Sequence, residues 1–317
     1  MMYIDVFNGD ADGICALHQL RLTNPVDSVL VTGIKRDINL LERVEAGKGD
    51  KLTVLDISLD KNREGLIRLL KAGAEVIYFD HHFAGDIPTY RNLEVYIDTD
   101  ANMCSSLLVN AYLNSTYLAW AVTAAFGDNL FSTAVDAAKP LNLKPGQLED
   151  LKLLGTCINY NSYGATLEDL IYTPNTLYRL IQPYSDPFDF IHNEAGYQIL
   201  LNGYQEDVSR AESIQAEYQS PTHALYILPD AKWARRVSGI FANQLAQAHP
   251  ERAHAILTQN NNKGYVVSVR APLNNKTGAD DLCRQFETGG GRKAAAGINH
   301  LSNTDYERFL KVFIEAF

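Results

Sequence analysis

The sequence predicts an α/β protein of two domains: an amino-terminal domain built on a parallel sheet, joined by a helical linker to a smaller α/β domain at the carboxyl end. Three observations carry this. The first 100 residues alternate between short apolar, β-rich runs and runs of helical period. Residues 105 to 219 turn mostly helical, and the β pattern restarts at "SPTHALYILP", residues 220 to 229. A chain of 317 residues is also too long for one ordinary core and suits two. The expected division is residues 1–195, a linker over 196–221, and residues 222–317.

The expected strands of the first domain are Met2 to Phe7, Ser28 to Ile34, Lys51 to Ile57 and Glu75 to Asp80. Helices fall between them at Ile14 to Leu22, Ile38 to Ala46 and Lys61 to Ala72, and the short turns point to βαβ units. "TYLAWAVTAAF" (116 to 126) is apolar enough to be a buried helix, and Pro145 suits the first turn of another. Gly196 to Gln219 reads as one long helix. Then come a helix over Ala234 to Ala248 and a hairpin of Ala253 to Thr258 with Gly264 to Arg270 around an Asn-rich turn. A helix over Ala279 to Phe286, a glycine-rich loop and a last helix over Asp305 to Ala316 finish the chain.

Composition narrows the class. Hydrophobic residues make up 46% and charged residues 21%, which excludes disorder. No apolar run approaches the roughly 20 residues that span a bilayer, and the first residues carry no basic and apolar leader pattern, so a cytoplasmic protein without membrane contact is expected. Cys15, Cys104, Cys157 and Cys283 are scattered, without zinc-site or disulfide spacing. The net charge of −10 is uneven: from Thr222 onward there are 12 basic against 8 acidic side chains, a net of +4, leaving −14 for residues 1 to 221. An acidic lobe suits cations and a mildly basic one suits an anion, while binding of long duplex nucleic acid by counterion release is disfavoured. No aromatic ladder suggests a single-strand stacking platform, despite 17 tyrosines.

The chemistry concentrates at three strand ends. "FNGDADGIC" (7 to 15) supplies Asp10 and Asp12, "LTVLD" supplies Asp56, and "VIYFDHH" supplies Asp80, His81 and His82. In parallel α/β sheets the carboxyl ends of strands line the ligand crevice, so these groups should converge. A lone aspartate after a strand is usually a turn or cap residue. Three such ends together with a His-His pair point to a metal, because carboxylates packed so closely need a cation. Oxygen ligands plus imidazole suit Mn²⁺ or a related ion, and a pair of ions could activate water for attack on a phosphoryl centre. Ser105 or Ser106 in "DTDANMCSS" is expected to cap the helix that follows.

With "DADG", "LD" and "DHH" in that order, followed by "FGDN" (126 to 129) and "GGGRKAAAG" (289 to 297), the sequence resembles the DHH phosphoesterase superfamily with its DHH-associated carboxyl-terminal domain. The resemblance covers nearly the whole chain. It implies a DHH catalytic domain, one metal site from Asp12, Asp56, His81 and Asp128 with Asp56 bridging, and another from Asp10 and Asp56. It implies Mn²⁺, with Mg²⁺ or Co²⁺ as alternatives, and His82 beside the substrate phosphate. Arg270 of "SVR", Gly289, Gly290, Gly291 and Arg292 would hold substrate, the glycines through backbone amides open to an anion. The sequence departs from the pattern at Val6, where the family commonly has His, at Asn8, where RecJ-like members carry Asp, and at Arg292, which replaces His.

The function expected is a metal-dependent phosphodiesterase that cuts short linear nucleotides, dinucleotides such as pGpG or nanoRNA, to mononucleotides. A RecJ-like single-strand exonuclease and a catalytically weak nucleotide-binding regulator stay open as alternatives, and so does the oligomeric state, a homodimer included.

Overall fold

The computed structural model describes residues 1–261 and 263–317. Chain contacts divide it into two compact units, Met1–Asn202 and Gly203–Phe317. The first unit carries β1 (Tyr3–Asn8), α1 (Ala11–Thr23), β2 (Ser28–Gly33), β3 (Lys51–Leu55), α2 (Leu59–Lys71), β4 (Glu75–Asp80) and β5 (Leu93–Ile97). Its helical part follows as α3 (Ser105–Tyr112), α4 (Leu118–Gly127), α5 (Phe131–Ala138), α6 (Gln147–Asn161), α7 (Pro174–Ile181), α8 (Pro187–Asn193) and α9 (Ala195–Glu212), the last of which runs across the division. The second unit holds β6 (Tyr218–Gln219), β7 (His223–Leu228), α10 (Lys232–Ala248), β8 (Ala253–Asn260), β9 (Gly264–Arg270), α11 (Ala279–Cys283), β10 (Gly289–Arg292), β11 (Ala295–Ser302) and α12 (Tyr306–Ala316).

The first sheet has the order β2-β1-β3-β4-β5 and is parallel throughout. Its strands can be near-continuous apolar runs because both faces are covered. On one face Ile4, Val6, Val54 and Tyr78 pack against Leu66 and Leu69 of α2. On the other, α1 lies against β1, with α3 and α4 packed on α1. A separate helical cluster joins Cys104, Val122, Phe126 and Leu151. The second sheet, β10-β11-β9-β8-β7-β6, is mixed, with β7 and β8 its parallel pair. One of its faces buries Leu257, Val267 and Val269 against Phe286, Phe309 and Phe313, and the other buries Leu228 and Ile256 against Val237 and Phe241 of α10. No helix among the described residues is long and apolar enough to cross a membrane.

Several expected elements change. The helix after β1 starts at Ala11 rather than Ile14, because the Asp10 side chain caps it. Ile38 to Ala46 is not an α-helix and keeps only a 3₁₀ turn over Leu40–Arg43. The reason is that Arg68 takes up the Leu41 and Val44 carbonyls from α2, at 3.0 and 2.8 Å, so that no further helical turn is needed to satisfy them. Strand β5 was absent from the expected pattern; it is a half-buried edge strand of five residues with weak periodicity. Pro145 precedes Gly146, the residue that caps α6, instead of lying in the first turn. The long helix expected to Gln219 stops at Glu212, since the chain beyond it pairs with β7, Glu217 donating to the Leu225 carbonyl at 2.8 Å. The glycine-rich loop is strand β10, antiparallel to β11. The Asn-rich turn expected between β8 and β9 includes residue 262, which lies outside the described residues.

Candidate metal centre

Strand β1 has β2 on one side and β3 on the other, so successive connections leave β1 in opposite directions and open a crevice at the strand ends. Asp10 and Asp12 follow β1, Asp56 follows β3, and Asp80, His81 and His82 end or follow β4. Asp128 arrives from the helical part as the residue that closes α4.

Each acid is placed by a local device. Asp10 is the N-cap of α1, its Oδ1 accepting the Asp12 and Gly13 amides, each at 3.1 Å. Gly13 is required there: a Cβ would lie 2.2 Å from the Asn8 carbonyl oxygen. Asp12 is buried, and its two oxygens accept the Ser105 and Ser106 amides at 2.7 Å each, where α3 begins. An anion at a helix amino terminus is electrostatically favoured. The serines therefore do not cap α3, whose N-cap position is Cys104. Ser106 Oγ instead donates to the Asp12 carbonyl at 2.9 Å and Ser105 Oγ to Asp56 Oδ1 at 3.2 Å. Asp56 has φ 56°, the left-handed region that aspartate tolerates better than most residues. Its amide is tied to the Phe79 carbonyl of β4 at 3.0 Å. Such a conformation held by its surroundings is common at functional sites.

His81 lies among the acids. Its Nε2 is 3.4 Å from Asp56 Oδ1, 3.7 Å from Asp128 Oδ2 and 3.9 Å from Asp12 Oδ2. His82 is turned by Asp80, which is fully buried: Asp80 Oδ1 lies 2.7 Å from His82 Nδ1 and also accepts the His81 and His82 amides. Asp80 is thus a positioning residue, a role the order of motifs did not disclose. Asp56, His81 and His82 also offer ligand atoms within 4.8 Å of one another. With His82 Nδ1 taken up by Asp80, Asp12 and Asp128 are the better companions of His81.

Lys35, just beyond β2, was not anticipated. Its ammonium meets Asp10 Oδ2 at 2.5 Å and Asn159 Oδ1 at 3.1 Å, and stands 3.5 Å from Asp128 Oδ1. Burial alone would raise the Asp10 carboxyl, but Lys35 outweighs it and holds the pKa down to about 2. Asp56 goes the other way: burial first, then the Asp10, Asp12 and Asp128 charges, push its carboxyl well above the usual carboxylate range. Asp128 is also raised, by burial. Burial opposes a charged His82, yet Asp80 prevails and raises its pKa. Of the two departures near the motif, Val6 is fully buried in the apolar cluster and offers nothing to an ion, while Asn8 is buried with an Oδ1 that has no hydrogen-bond partner.

Comparison with known proteins bears on the fold. Residues 220–317 match the DHHA1 domain family. A crystal structure of exonuclease RecJ bound to manganese superposes with a TM-score of 0.65 at 17% identity, covering 98% of this chain and 89% of that one. RecJ from Thermus thermophilus, in complex with Mn²⁺, gives a TM-score of 0.66 at 18% identity over 99% of this chain, which spans about half, 52%, of that longer protein. Over nearly its whole length the chain therefore shares the fold of RecJ. The pGpG-specific phosphodiesterase PggH from Vibrio cholerae shares the fold at a TM-score of 0.56 and 14% identity, with 99% and 98% of the two chains covered. No curated protein matches the chain by sequence.

Within the DHHA1 domain, β10 is an edge strand that pairs with β11 alone, so part of its backbone faces away from the sheet. Gly289, Gly290 and Gly291 lie on it, and Gly291 needs to be glycine, with φ 142° and a Cβ position 2.5 Å from Ala296 Cα. Arg292 is exposed at its end. Arg270 is fixed within its own unit, Nε donating to Asn243 Oδ1 at 2.7 Å and Nη1 to Ser268 Oγ at 2.9 Å.

The acidic centre fits a divalent cation. Asp12, Asp56 and Asp128 bring carboxylate oxygens around one imidazole nitrogen, and burial, with the neighbouring carboxylates adding to it, raises the Asp56 and Asp128 carboxyls. Oxygen donors with a single nitrogen suit Mn²⁺ or Mg²⁺ better than a thiolate-seeking metal. Asp10 adjoins this set through a side-chain hydrogen bond with Asp56, and a lysine already meets its charge.

Proposed function

We propose that this protein is a metal-dependent phosphodiesterase that hydrolyses short linear nucleotides, dinucleotides such as pGpG or nanoRNA, to mononucleotides. The observation that carries the reading is the convergence of Asp12, Asp56, His81 and Asp128 at the switch point of the parallel sheet. Those four residues would hold the ion, Mn²⁺ in first place, which when bound supplies a water of lowered pKa and polarises a phosphoryl oxygen. His82, half exposed and with its Nδ1 proton held by Asp80, is left with Nε2 to donate to a non-bridging oxygen of the phosphate. In the DHHA1 domain Arg292, Arg270 and the Gly289–Gly291 backbone supply donors for a substrate anion. The acidic balance of residues 1 to 221 supports a short substrate over a long one.

The test is release of mononucleotides from 5′-phosphorylated RNA of two, five and twenty residues, with Mn²⁺, Mg²⁺ or chelator, beside Asp56→Ala. Manganese-dependent release, fastest on the shortest RNA and lost in the variant, is the expected result. Faster release from the twenty-residue RNA would favour a RecJ-like exonuclease. One further reading has an observation behind it: Val6 in the apolar cluster and Lys35 on Asp10 would suit a nucleotide-binding regulator with little turnover. Binding of all three RNAs without cleavage would establish that reading instead.

A further inference from the structure

Asp10 and Asp12 are two residues apart, yet their carboxylates have very different room for a cation. A carboxylate accepts in about four directions. Asp12 spends one on each oxygen, for the Ser105 and Ser106 amides. Asp10 spends two of Oδ1's directions on the Asp12 and Gly13 amides, and Oδ2 meets the Lys35 ammonium at 2.5 Å. A second cation at Oδ2 would face that ammonium directly.

The lysine is also seated, which a stray surface side chain would not be. Its backbone amide donates to the Ser162 carbonyl at 3.0 Å, and its ammonium meets Asn159 Oδ1 at 3.1 Å. Asn159 is buried, and its own amide nitrogen donates to the Tyr163 hydroxyl at 3.2 Å, while the Tyr163 ring lies 5.9 Å from the ammonium. The end of α6 therefore forms a receptacle for Lys35 on the side of Asp10. Asp128 joins the two halves, with Oδ1 3.5 Å from Lys35 and Oδ2 3.7 Å from His81. On β1, position 6 is a valine in the core, and Asn8, a neutral amide with its Oδ1 buried and without a hydrogen-bond partner, brings no charge to offset a second ion.

We infer that Lys35 supplies, beside Asp10, the positive charge that a second divalent ion would otherwise bring, so that the centre holds one ion per chain together with a built-in ammonium. The inference rests on reading the Asp12, Asp56, His81 and Asp128 set as a metal site, and it replaces the pair of ions expected from the sequence. Asp10 then acts through Lys35 and the α1 cap rather than as a ligand.

The experiment is a Mn²⁺ titration of the chelator-stripped full chain, read by electron paramagnetic resonance and by metal content after gel filtration, for the native protein, Lys35→Met and Lys35→Arg. The native chain and Lys35→Arg should retain one Mn²⁺ with no Mn–Mn coupling in the spectrum. Lys35→Met should take up twice as much and show an exchange-coupled signal. Two coupled ions in the native chain would overturn the inference while leaving the metal centre intact. A single ion in Lys35→Met, with its far-ultraviolet circular dichroism unchanged, would show that the lysine is not what excludes the second. Retention of no ion by the native chain would sink the metal-site reading itself, and this inference with it.

Discussion

The two sides of the acidic crevice are made from the same kind of residue and end up in opposite electrostatic states. On one side Asp10 has a lysine at 2.5 Å and a carboxyl held down to about 2. On the other, Asp56 has carboxylates for neighbours, and its carboxyl is pushed up. The first side is satisfied by the chain alone, and the second is a charge arrangement that a cation would complete. The difference teaches that an acidic motif does not specify a metal by itself; the cations that the fold brings alongside decide which carboxylates remain open to one.

The largest effect expected from this contrast is on catalysis. Asp56→Ala and His81→Ala should each lower Mn²⁺-dependent turnover by well over the roughly 100-fold that outer partners of a metal site typically account for, whereas Asp10→Ala should stay within that roughly 10–100-fold range. Steady-state rates at saturating Mn²⁺ check this, and equal losses at Asp10 and Asp56 would erase the distinction between the two sides.

Asp80→Asn should cost about 10–100-fold in turnover, as expected for a residue that orients its neighbour. It should also move the pH profile. Asp80 raises the His82 pKa, so removing its charge lowers it, and a rate that needs the imidazolium should fall off at a lower pH than in the native protein. An unshifted alkaline limb in kcat/KM would mean that His82 does not act in its charged form.

The smallest effect is on stability without metal. The Asp10 carboxyl is lowered, from 3.8 to about 2, so it contributes stability above its unfolded pKa that is lost as pH falls from 3.8 toward 2. A lowering of that size at a buried carboxyl corresponds to roughly 2 kcal/mol. Urea denaturation in chelator across this range should show Lys35→Met losing less stability on acidification than the native chain, because the partner that holds Asp10 down is gone. Parallel acid profiles would place the effect in other carboxylates.

Much of this was legible in the sequence. Strands β1, β3 and β4 read correctly as apolar runs leading into acids, because a strand buried on both faces leaves little choice of residue. Asp12, Asp56 and His81 could be picked out by their positions after such strands and Asp128 by motif order, and the structure brings them together. The segment Ile38 to Ala46 had a helical period but is held by Arg68 from another helix, a long-range substitution that local pattern does not reveal. The glycine run looked like a loop because glycine is a poor strand former; pairing with β11 overrides that weak preference.

By itself, then, the sequence determined the kinds of chemistry available to this protein: which strands end in carboxylates, where the paired histidines fall, and that a DHHA1-type segment follows. The partnerships were decided by tertiary structure alone. Lys35 follows β2 and Asn159 lies in the last turn of α6, 124 residues apart, and neither carries a local mark of its role. Ser105 and Ser106 meet Asp12 from 93 and 94 residues away through backbone amides, groups that nearly every residue possesses. A charge's ionisation and its openness to a cation depend on distances of about 2.5 to 4 Å to groups brought in by folding, and such distances are a property of packing that sequence neighbours do not set.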